Sequence, residues 1–279
     1  MVSEARGLSD ADLAAIADLE QRVIAHDGGR LKLEWPALRE RSGERVDDLL
    51  WRDGDQVLGF LGLYSFGSAD LELAGMVDPA ARRRGIGTAL LEAAKPLARA
   101  RGFTQALLVT PRSTSTGRAF ADAVGAALEH SEHHLALGTT PTAGPLDPTM
   151  SLREATPEDR DDVVRILAAA FGEDRSDVQI ADRPEERTLV AERGGAIVGT
   201  VRLTRDADSA GIYGLAVTPS LQGKGIGRDV LIRVCRQLRA AGAERVTLEV
   251  AADNDRALGL YRSAGFEPQA TEDYFAVTL

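Results

Sequence analysis

The segment YGLAVTPSLQGKGIGR, residues 213–228, joins a strand pattern to a helix pattern through a glycine-rich loop. Its first part, the apolar run from Gly214 to Val217, is typical of a strand, and Pro219 ends that strand because proline lacks a backbone donor. Glycines in the loop allow backbone N–H groups to converge on an anion, and a helix N-terminus adds favourable potential. The segment therefore predicts a phosphate-binding loop.

The same order of features occurs twice along the chain. Five positions match at an offset of 140, for example 227 minus 87. The matched pairs are Gly59 with Gly199, Val77 with Val217, Gly87 with Gly227, Gly102 with Gly242, and Gly125 with Gly265. A single offset without a gap indicates a tandem duplication. It predicts an N-terminal domain at 1–140, a turn-rich linker at 141–149 and a C-terminal domain at 150–279.

Composition and charge limit the classes of function. The chain has 279 residues and a net charge of −10, from 33 basic and 43 acidic residues. Such acidity argues against nucleic acid or an anionic membrane as a partner and is compatible with a cationic amine. No apolar run approaches the roughly 20 residues that span a bilayer, and the N-terminus lacks a signal-peptide pattern. Cys235 is its single cysteine, so the chain is expected in the reducing cytoplasm. Its oligomeric state is left open between a monomer and a homodimer.

Two motifs in the second half resemble those of the GCN5-related N-acetyltransferase (GNAT) family. Residues 222–227, QGKGIG, match the family's [RQ]-x-x-G-x-[GA] loop, and residues 254–266, NDRALGLYRSAGF, match its N-x-x-A-x-x-x-Y-x-x-x-G-F pattern. The first half matches through its own loop and the 140-residue offset. The resemblance implies an α/β (α+β) fold of two tandem GNAT-type domains. Each would have a mixed, mostly antiparallel sheet with a splayed parallel strand pair, flanked by helices.

The resemblance also implies a site for acetyl-CoA and no metal. The cofactor would lie in a gap between two parallel strands, here 212–217 and 245–250, with its pantetheine arm on the first of them. The amide of Leu215 would polarise the acetyl carbonyl, and the loop amides would hold the pyrophosphate. The residues implied in cofactor binding are Leu215, Ala216, Val217, Gln222, Gly223, Lys224, Gly225, Ile226, Gly227, Arg228, Asn254 and Tyr261.

Two further residues are implied in the chemistry. Tyr261 would protonate the departing CoA thiolate, and the alternative is an aromatic that packs its helix against the sheet. Glu249 is the candidate base for the acceptor ammonium, with substrate positioning or a surface carboxylate as alternatives. Asn254 would hold the cofactor through its side-chain amide, a role that can coexist with capping of a helix.

The first half departs from the family pattern at these positions. At the 140-residue offset Tyr261, Asn254 and Glu249 are replaced by Ala121, Thr114 and Val109. This half is therefore expected to be degenerate and non-catalytic. A second possible CoA site remains in it, and the alternative is a vestigial loop with a solvated basic face. The residues of this second site are Met76, Val77, Arg82, Arg83, Arg84, Gly85, Gly87 and Thr88.

Three other features are interpreted without a catalytic role. His130, His133 and His134 lack further ligands at metal-binding spacing, so they indicate a polar strand edge. Cys235 lies in an apolar helical pattern and is expected in the core, which disfavours a cysteinyl intermediate. The acidic segment 172–177 would either attract a cationic amine or form a solvated loop.

The sequence thus predicts an acetyl-CoA-dependent N-acetyltransferase whose C-terminal domain transfers the acetyl group directly to a primary amine of a small molecule. One alternative acceptor is that of the mycothiol synthases, the cysteinyl amine of a pseudo-disaccharide. The other alternative is a non-catalytic, regulatory module that binds acyl-CoA.

Overall fold

The computed structural model describes residues 1–65, 71–139, 141, 146–172, 180 and 186–279. Residues 142–145 of the predicted linker at 141–149 and residues 173–177 of the acidic segment 172–177 lie outside these residues. The chain divides into two compact units. The first unit consists of Met1–Glu132 together with Ala270–Leu279, and the second unit is His133–Gln269.

The boundaries of these units differ from the predicted domain boundaries at the last strand of the chain. The prediction assigned all of 150–279 to one domain, whereas Ala270–Leu279 belongs to the first unit. The reason is strand pairing, because Glu272–Thr278 pairs antiparallel with Gln105–Pro111. The repeat in the sequence and the compact units of the fold therefore end at different residues.

The first unit contains a sheet in the order β1-β2-β3-β4-β5, completed by the last part of β12. Strands β4 and β5 are parallel, and the other neighbours are antiparallel. Its elements are β1 Val2–Ala5, α1 Asp10–Asp27, α2 Trp35–Arg39, β2 Asp48–Asp53, β3 Gln56–Tyr64, β4 Glu72–Val77, α3 Ile86–Ala100, β5 Gln105–Pro111 and α4 Ser115–Ala123, with β6 Ala127–Leu137 crossing into the second unit.

Local sequence explains how the helices of the first unit cover both faces of this sheet. Helix α1 begins at a capping box, in which the side chains of Ser9 and Asp12 each accept a backbone N–H from the other residue. Its apolar residues Ile16 and Leu19 pack with Phe60 in one buried cluster. Helix α3 packs in a second cluster that contains other residues of β3. Strand β3 is accordingly apolar along nearly its whole length, as expected for a strand covered on both faces.

The second unit repeats this arrangement with the strand order β6-β11-β10-β9-β8-β7. Strands β10 and β11 are parallel, whereas β7 to β10 are antiparallel to one another. Its elements are β7 Met150–Glu154, α5 Arg160–Phe171, β8 Glu186–Arg193, β9 Ala196–Asp206, β10 Ser209–Val217, α6 Ile226–Ala240, β11 Arg245–Ala251, α7 Asp255–Ser263 and β12 Phe266–Thr278, the last of which crosses back into the first unit.

The cores of the second unit lie on both faces of its sheet. Helices α6 and α7 share the larger cluster with Ile212 and Leu248. Helix α5 packs on the opposite face, where Val163 contacts Val190. The predicted fold class, a mixed and mostly antiparallel sheet with parallel pairs and flanking helices in two repeats, is confirmed. No helix in the described parts of the chain is long and apolar enough to cross a membrane.

Candidate active site

The two parallel strands of the second unit separate part-way along their length. Strand β10 pairs with β11 from Ser209 opposite Arg245 to Ile212 opposite Leu248. Both strands then continue, β10 to Val217 and β11 to Ala251, without further pairing between them in the described register. The edge of β10 that faces β11 is therefore open over its last residues.

A β-bulge in β10 lies at the same point. On its other edge, Tyr213 pairs with Arg202 and Ala216 pairs with Thr200, so β10 has one residue more than β9 in this interval. Gly214, inside the bulge, has a φ of +56°, a conformation that favours glycine. The bulge takes the backbone of Leu215 out of the regular ladder with β9. This is the amide that the resemblance implies at the acetyl carbonyl.

The glycine-rich loop is fixed at its start by hydrogen bonds of the Gln222 side chain. Gln222 donates from Nε2 to the carbonyl oxygen of Val217 at 3.0 Å, and Arg256 donates to Oε1 of Gln222 at 2.9 Å. Gly223 and Gly225 have φ values of +77° and +83°. Gly225 is the N-cap of α6 and supplies no side-chain cap, so the first amides of that helix are open to an anion.

Helix α7 brings the second motif to this loop. The Asn254 side-chain oxygen accepts the N–H of Ala257 at 3.0 Å, which caps the helix and leaves the side-chain NH₂ available. Leu260, the residue before Tyr261, lies 3.6 Å from the position that a Cβ on Gly227 would take, and Val217 lies 3.7 Å from that position. The end of β10, the first turn of α6 and helix α7 therefore meet at one place.

Tyr261 is half-buried beside this meeting point. Its ring packs edge-on against Phe266, with 6.1 Å between ring centroids, and it contacts the larger core cluster. Burial raises the pKa of Tyr261 to about 12, so its hydroxyl carries its proton throughout the neutral range. The packing role and a proton-donor role are thus compatible in this side chain.

Glu249 lies on the sheet face that α5 covers. Its neighbours Leu248 and Val250 are buried in the core on the α6 side, so the alternation of the strand turns Glu249 the other way. Its side chain is 21% exposed, and Oε1 lies 3.7 Å from Nδ1 of His134 on β6. The sequence interpretation of His134 as a polar strand edge missed this proximity, because the two residues are far apart in the chain and only strand pairing joins them.

The first unit has the strand separation without the bulge. Strands β4 and β5 pair from Glu72 opposite Leu107 to Ala74 opposite Val109. The ladder between β3 and β4 is regular along the whole of β4. The first unit therefore lacks the feature that takes the Leu215 backbone out of its ladder in the second unit.

The arginine-rich loop of the first unit is partly engaged in structural bonds. Arg82 donates from Nε to the carbonyl oxygen of Val77 at 3.2 Å, and its two terminal nitrogens bind the Asp27 carboxylate at 2.6 and 2.8 Å. The hydrogen bonds from Arg82 hold the pKa of Asp27 below its usual range. Arg83, with a φ of +61°, and Arg84 are exposed. These two arginines have side chains open to a phosphate.

A cavity of about 510 Å³ opens between the separated strands of the first unit. Its walls include Leu73 and Val109 from the two strands and Phe120 from α4. It is also lined by most of the second possible CoA site, namely Met76, Val77, Arg82, Arg83, Gly85, Gly87 and Thr88. Arg84 of the predicted set does not line it. Ala121, at the position of Tyr261, is fully buried.

The sequence profile of the acetyltransferase (GNAT) family matches residues 14–125 and residues 153–266. The chain belongs to the GNAT family. One match in each half confirms the tandem duplication that the 140-residue offset predicted. As a GNAT protein, the chain is an N-acetyltransferase with acetyl-CoA as donor.

Acetyltransferases are among its relatives and structural neighbours. A mycothiol acetyltransferase from Mycolicibacterium smegmatis is 29% identical over 298 residues, 97% of each chain. One from Clavibacter sepedonicus is 31% identical over 225 residues, 74% of this chain and 72% of the relative. A GCN5-related N-acetyltransferase from Sphaerobacter thermophilus aligns with a TM-score of 0.81 over 99% of this chain and 95% of its own, at 21% identity. A tandem GNAT protein from the clavulanic acid biosynthesis pathway aligns with a TM-score of 0.70 over 100% and 98%, also at 21% identity.

The residues at the GNAT site of the second unit fit acetyl-CoA. The open edge of β10 offers backbone groups to the amides of a pantetheine arm, as an added strand would. The uncapped start of α6, flanked by Lys224 and Arg228, suits a pyrophosphate. In the described residues no group of three or more His, Cys, Asp or Glu side chains is placed to hold a metal ion.

Proposed function

We propose that the second unit transfers the acetyl group of acetyl-CoA directly to the primary amine of a small molecule. The observation that carries this proposal is the open edge of β10, which begins where its pairing with β11 ends at Ile212 and Leu248. The bulge of β10 adjoins this opening, and in the proposal Tyr261 and Glu249 supply the acid and the base. Acetyl-CoA supplies the activated acetyl group as a thioester.

The backbone around the bulge orients the reacting carbonyl. The N–H of Leu215 donates toward the acetyl oxygen. A donor in this position stabilises the transition state more than the ground state, because negative charge develops on that oxygen during the reaction. Ala216 and Val217 bind the pantetheine arm through the same strand edge. The amides from Gly223 to Arg228 bind the pyrophosphate, and the side-chain NH₂ of Asn254 adds one donor next to the loop.

Two side chains move the protons. Glu249 accepts a proton from the ammonium of the acceptor, which exposes the nitrogen lone pair for attack. Tyr261 donates its hydroxyl proton to the CoA sulfur as that sulfur leaves. Burial raises the pKa of Tyr261 to about 12, so the hydroxyl is protonated at neutral pH before the transfer.

For the acceptor, the first candidate to test is the cysteinyl amine of a pseudo-disaccharide. The support is the identity of 29–31% with proteins named mycothiol acetyltransferase, one of which aligns over 97% of both chains. Other small amines form the comparison set. Each is cationic at neutral pH, in keeping with a carboxylate at the acceptor side of the opening.

For the first unit we infer a different role, binding CoA or an acyl-CoA without catalysis. The cavity of about 510 Å³ between β4 and β5 supports binding. The residues at the positions of the acid and the base are Ala121 and Val109, which carry no proton to exchange. Val109 also packs with Leu107 and Tyr274 in a buried apolar cluster, so the strand position that corresponds to Glu249 carries no base.

One titration and one assay test both roles. Isothermal titration of the full chain with acetyl-CoA is expected to give two sites, and release of CoA is expected with at least one amine of the set. Binding at two sites with no release from any amine, the cysteinyl pseudo-disaccharide included, would favour the non-catalytic regulatory module. Binding at one site would overturn the role inferred for the first unit.

A further inference from the structure

We propose that His134 is a positioning residue for Glu249, which it holds oriented and ionised toward the acceptor. This inference rests on the proposed function of Glu249 as the base. Two observations carry it. Nδ1 of His134 is buried without a hydrogen-bond partner among the described residues, and it forms an ion pair with Oε1 of Glu249 at 3.7 Å.

The fold delivers these side chains to one place from two strands. Glu249 follows Leu248, the last residue of β11 that pairs with β10, so it stands at the mouth of the strand opening. His134 lies on β6, the strand on the other side of β11. The His134 side chain is 13% exposed and that of Glu249 is 21% exposed. Both side chains are therefore largely buried, and His134 is the more buried of the two.

The separation of 3.7 Å is longer than an N–H···O hydrogen bond, which spans roughly 2.7–3.2 Å. A small rotation of the Glu249 carboxylate shortens this separation to hydrogen-bond length, which gives the buried Nδ1 a hydrogen-bond partner. A donor bonded to a carboxylate favours its ionised form. Glu249 then begins each cycle as an ionised base. The proton removed from the ammonium ends on this carboxylate and is returned to solvent.

The first unit supplies an internal comparison. At the 140-residue offset, Glu249 and His134 correspond to Val109 and Tyr274, and these two residues pair directly across β5 and β12. Tyr274 instead receives a hydrogen bond from Lys32 at 2.5 Å and donates one to Glu132 at 2.7 Å. The imidazole and the carboxylate thus occur together in the unit that keeps Asn254 and Tyr261.

A double-mutant cycle separates positioning from packing. His134→Leu keeps the approximate volume without the donor, and His134→Asn keeps an N–H on the atom bonded to Cγ. We expect kcat to fall about tenfold or more in His134→Leu, with the acetyl-CoA Kd unchanged. In His134→Asn we expect most of the wild-type kcat to be retained. In a Glu249→Gln background, His134→Leu should cause no further loss, because the effect passes through the carboxylate.

A second measurement does not depend on turnover. The ¹⁵N resonances of the His134 imidazole, assigned by their disappearance in His134→Asn, are expected to show Nδ1 protonated and to move in Glu249→Gln. Equal losses in the two backgrounds, or resonances indifferent to Glu249→Gln, would overturn the proposal. If no amine is acetylated but the resonances respond, the base role of Glu249 fails while the pairing stands as a feature of an acceptor pocket. If amines are acetylated and the resonances are indifferent, the pairing alone fails.

Discussion

Nε2 of Gln222 donates to the carbonyl oxygen of Val217 at 3.0 Å, a bond that ties the glycine-rich loop to the end of β10. Arg82 makes the same bond, from Nε to Val77, in the first unit. The two copies therefore share the fold of the loop. They differ in what the rest of each side chain does, since the Arg82 tip binds Asp27 whereas Gln222 accepts a bond from Arg256 of α7.

The first prediction concerns the proposed acid. Tyr261→Phe keeps the ring that packs on Phe266 and removes the proton, so kcat should fall about 10²-fold or more. The acetyl-CoA Kd and the melting temperature should stay near those of the wild type. Steady-state kinetics, calorimetric titration and thermal unfolding of one preparation provide the three values. A variant with wild-type kcat would show that the proton comes from elsewhere.

The bulge gives the second prediction. Gly214→Ala places a Cβ at a φ of +56°, which costs about 1–2 kcal/mol for an L-residue. The nearest atom to that Cβ, on Leu167, is at an acceptable 3.6 Å, so the strain is in the backbone. We expect a lower melting temperature and at least about a tenfold loss of kcat, because the Leu215 amide moves.

Gly259→Ala is the matched control for this substitution. Gly259 lies in α7, and a Cβ there meets no atom of the described residues within 4 Å. Its replacement should stabilise the helix by up to about 1 kcal/mol and leave kcat unchanged. Full activity in Gly214→Ala would contradict the role of the bulge.

The sequence was sufficient for the loop, the duplication and the second motif, because these are local patterns. It was insufficient for the bulge. Strand pairing makes Leu73 equivalent to Ile212, and Leu108 equivalent to Leu248. The offsets are 139 for the first pair and 140 for the second. The residue types within a strand do not reveal such a one-residue difference. The proximity of His134 to Glu249 was hidden for a related reason, since it depends on which strands become neighbours.

The third prediction concerns the ion pair in the first unit. Arg82 lowers the pKa of Asp27, so the pair stabilises the fold fully above the unfolded pKa of about 3.9. That stabilisation is lost as the pH falls through the lower, folded pKa. Asp27→Asn should therefore lower the unfolding midpoint at pH 7, and its difference from the wild type should narrow below pH of about 4. Asp18→Asn, an exposed carboxylate on the same helix, should show no such difference at either pH.

The fourth prediction tests direct transfer. Cys235 is fully buried in α6, and burial raises the pKa of its thiol to about 12, so it is neither accessible nor ionised at neutral pH. Cys235→Ala should keep kcat within about twofold of the wild type, with a lower melting temperature from the lost packing. A disulfide reagent should label the thiol only after unfolding. Loss of turnover in a folded Cys235→Ala variant would point to a cysteinyl intermediate instead.

The fifth prediction uses the duplication as its own control. Gly85 and Gly225 are the N-caps of α3 and α6, with φ values of +79° and +83°. In the part of the chain that the structure describes, a Cβ on either glycine meets no atom within 4 Å. Valine at either position is strained to the same degree and disturbs the first amides of the following helix. Gly225→Val should remove turnover and one of two acetyl-CoA sites, whereas Gly85→Val should remove the other site and keep turnover. Loss of turnover in a folded Gly85→Val variant would mean that the first unit contributes to catalysis.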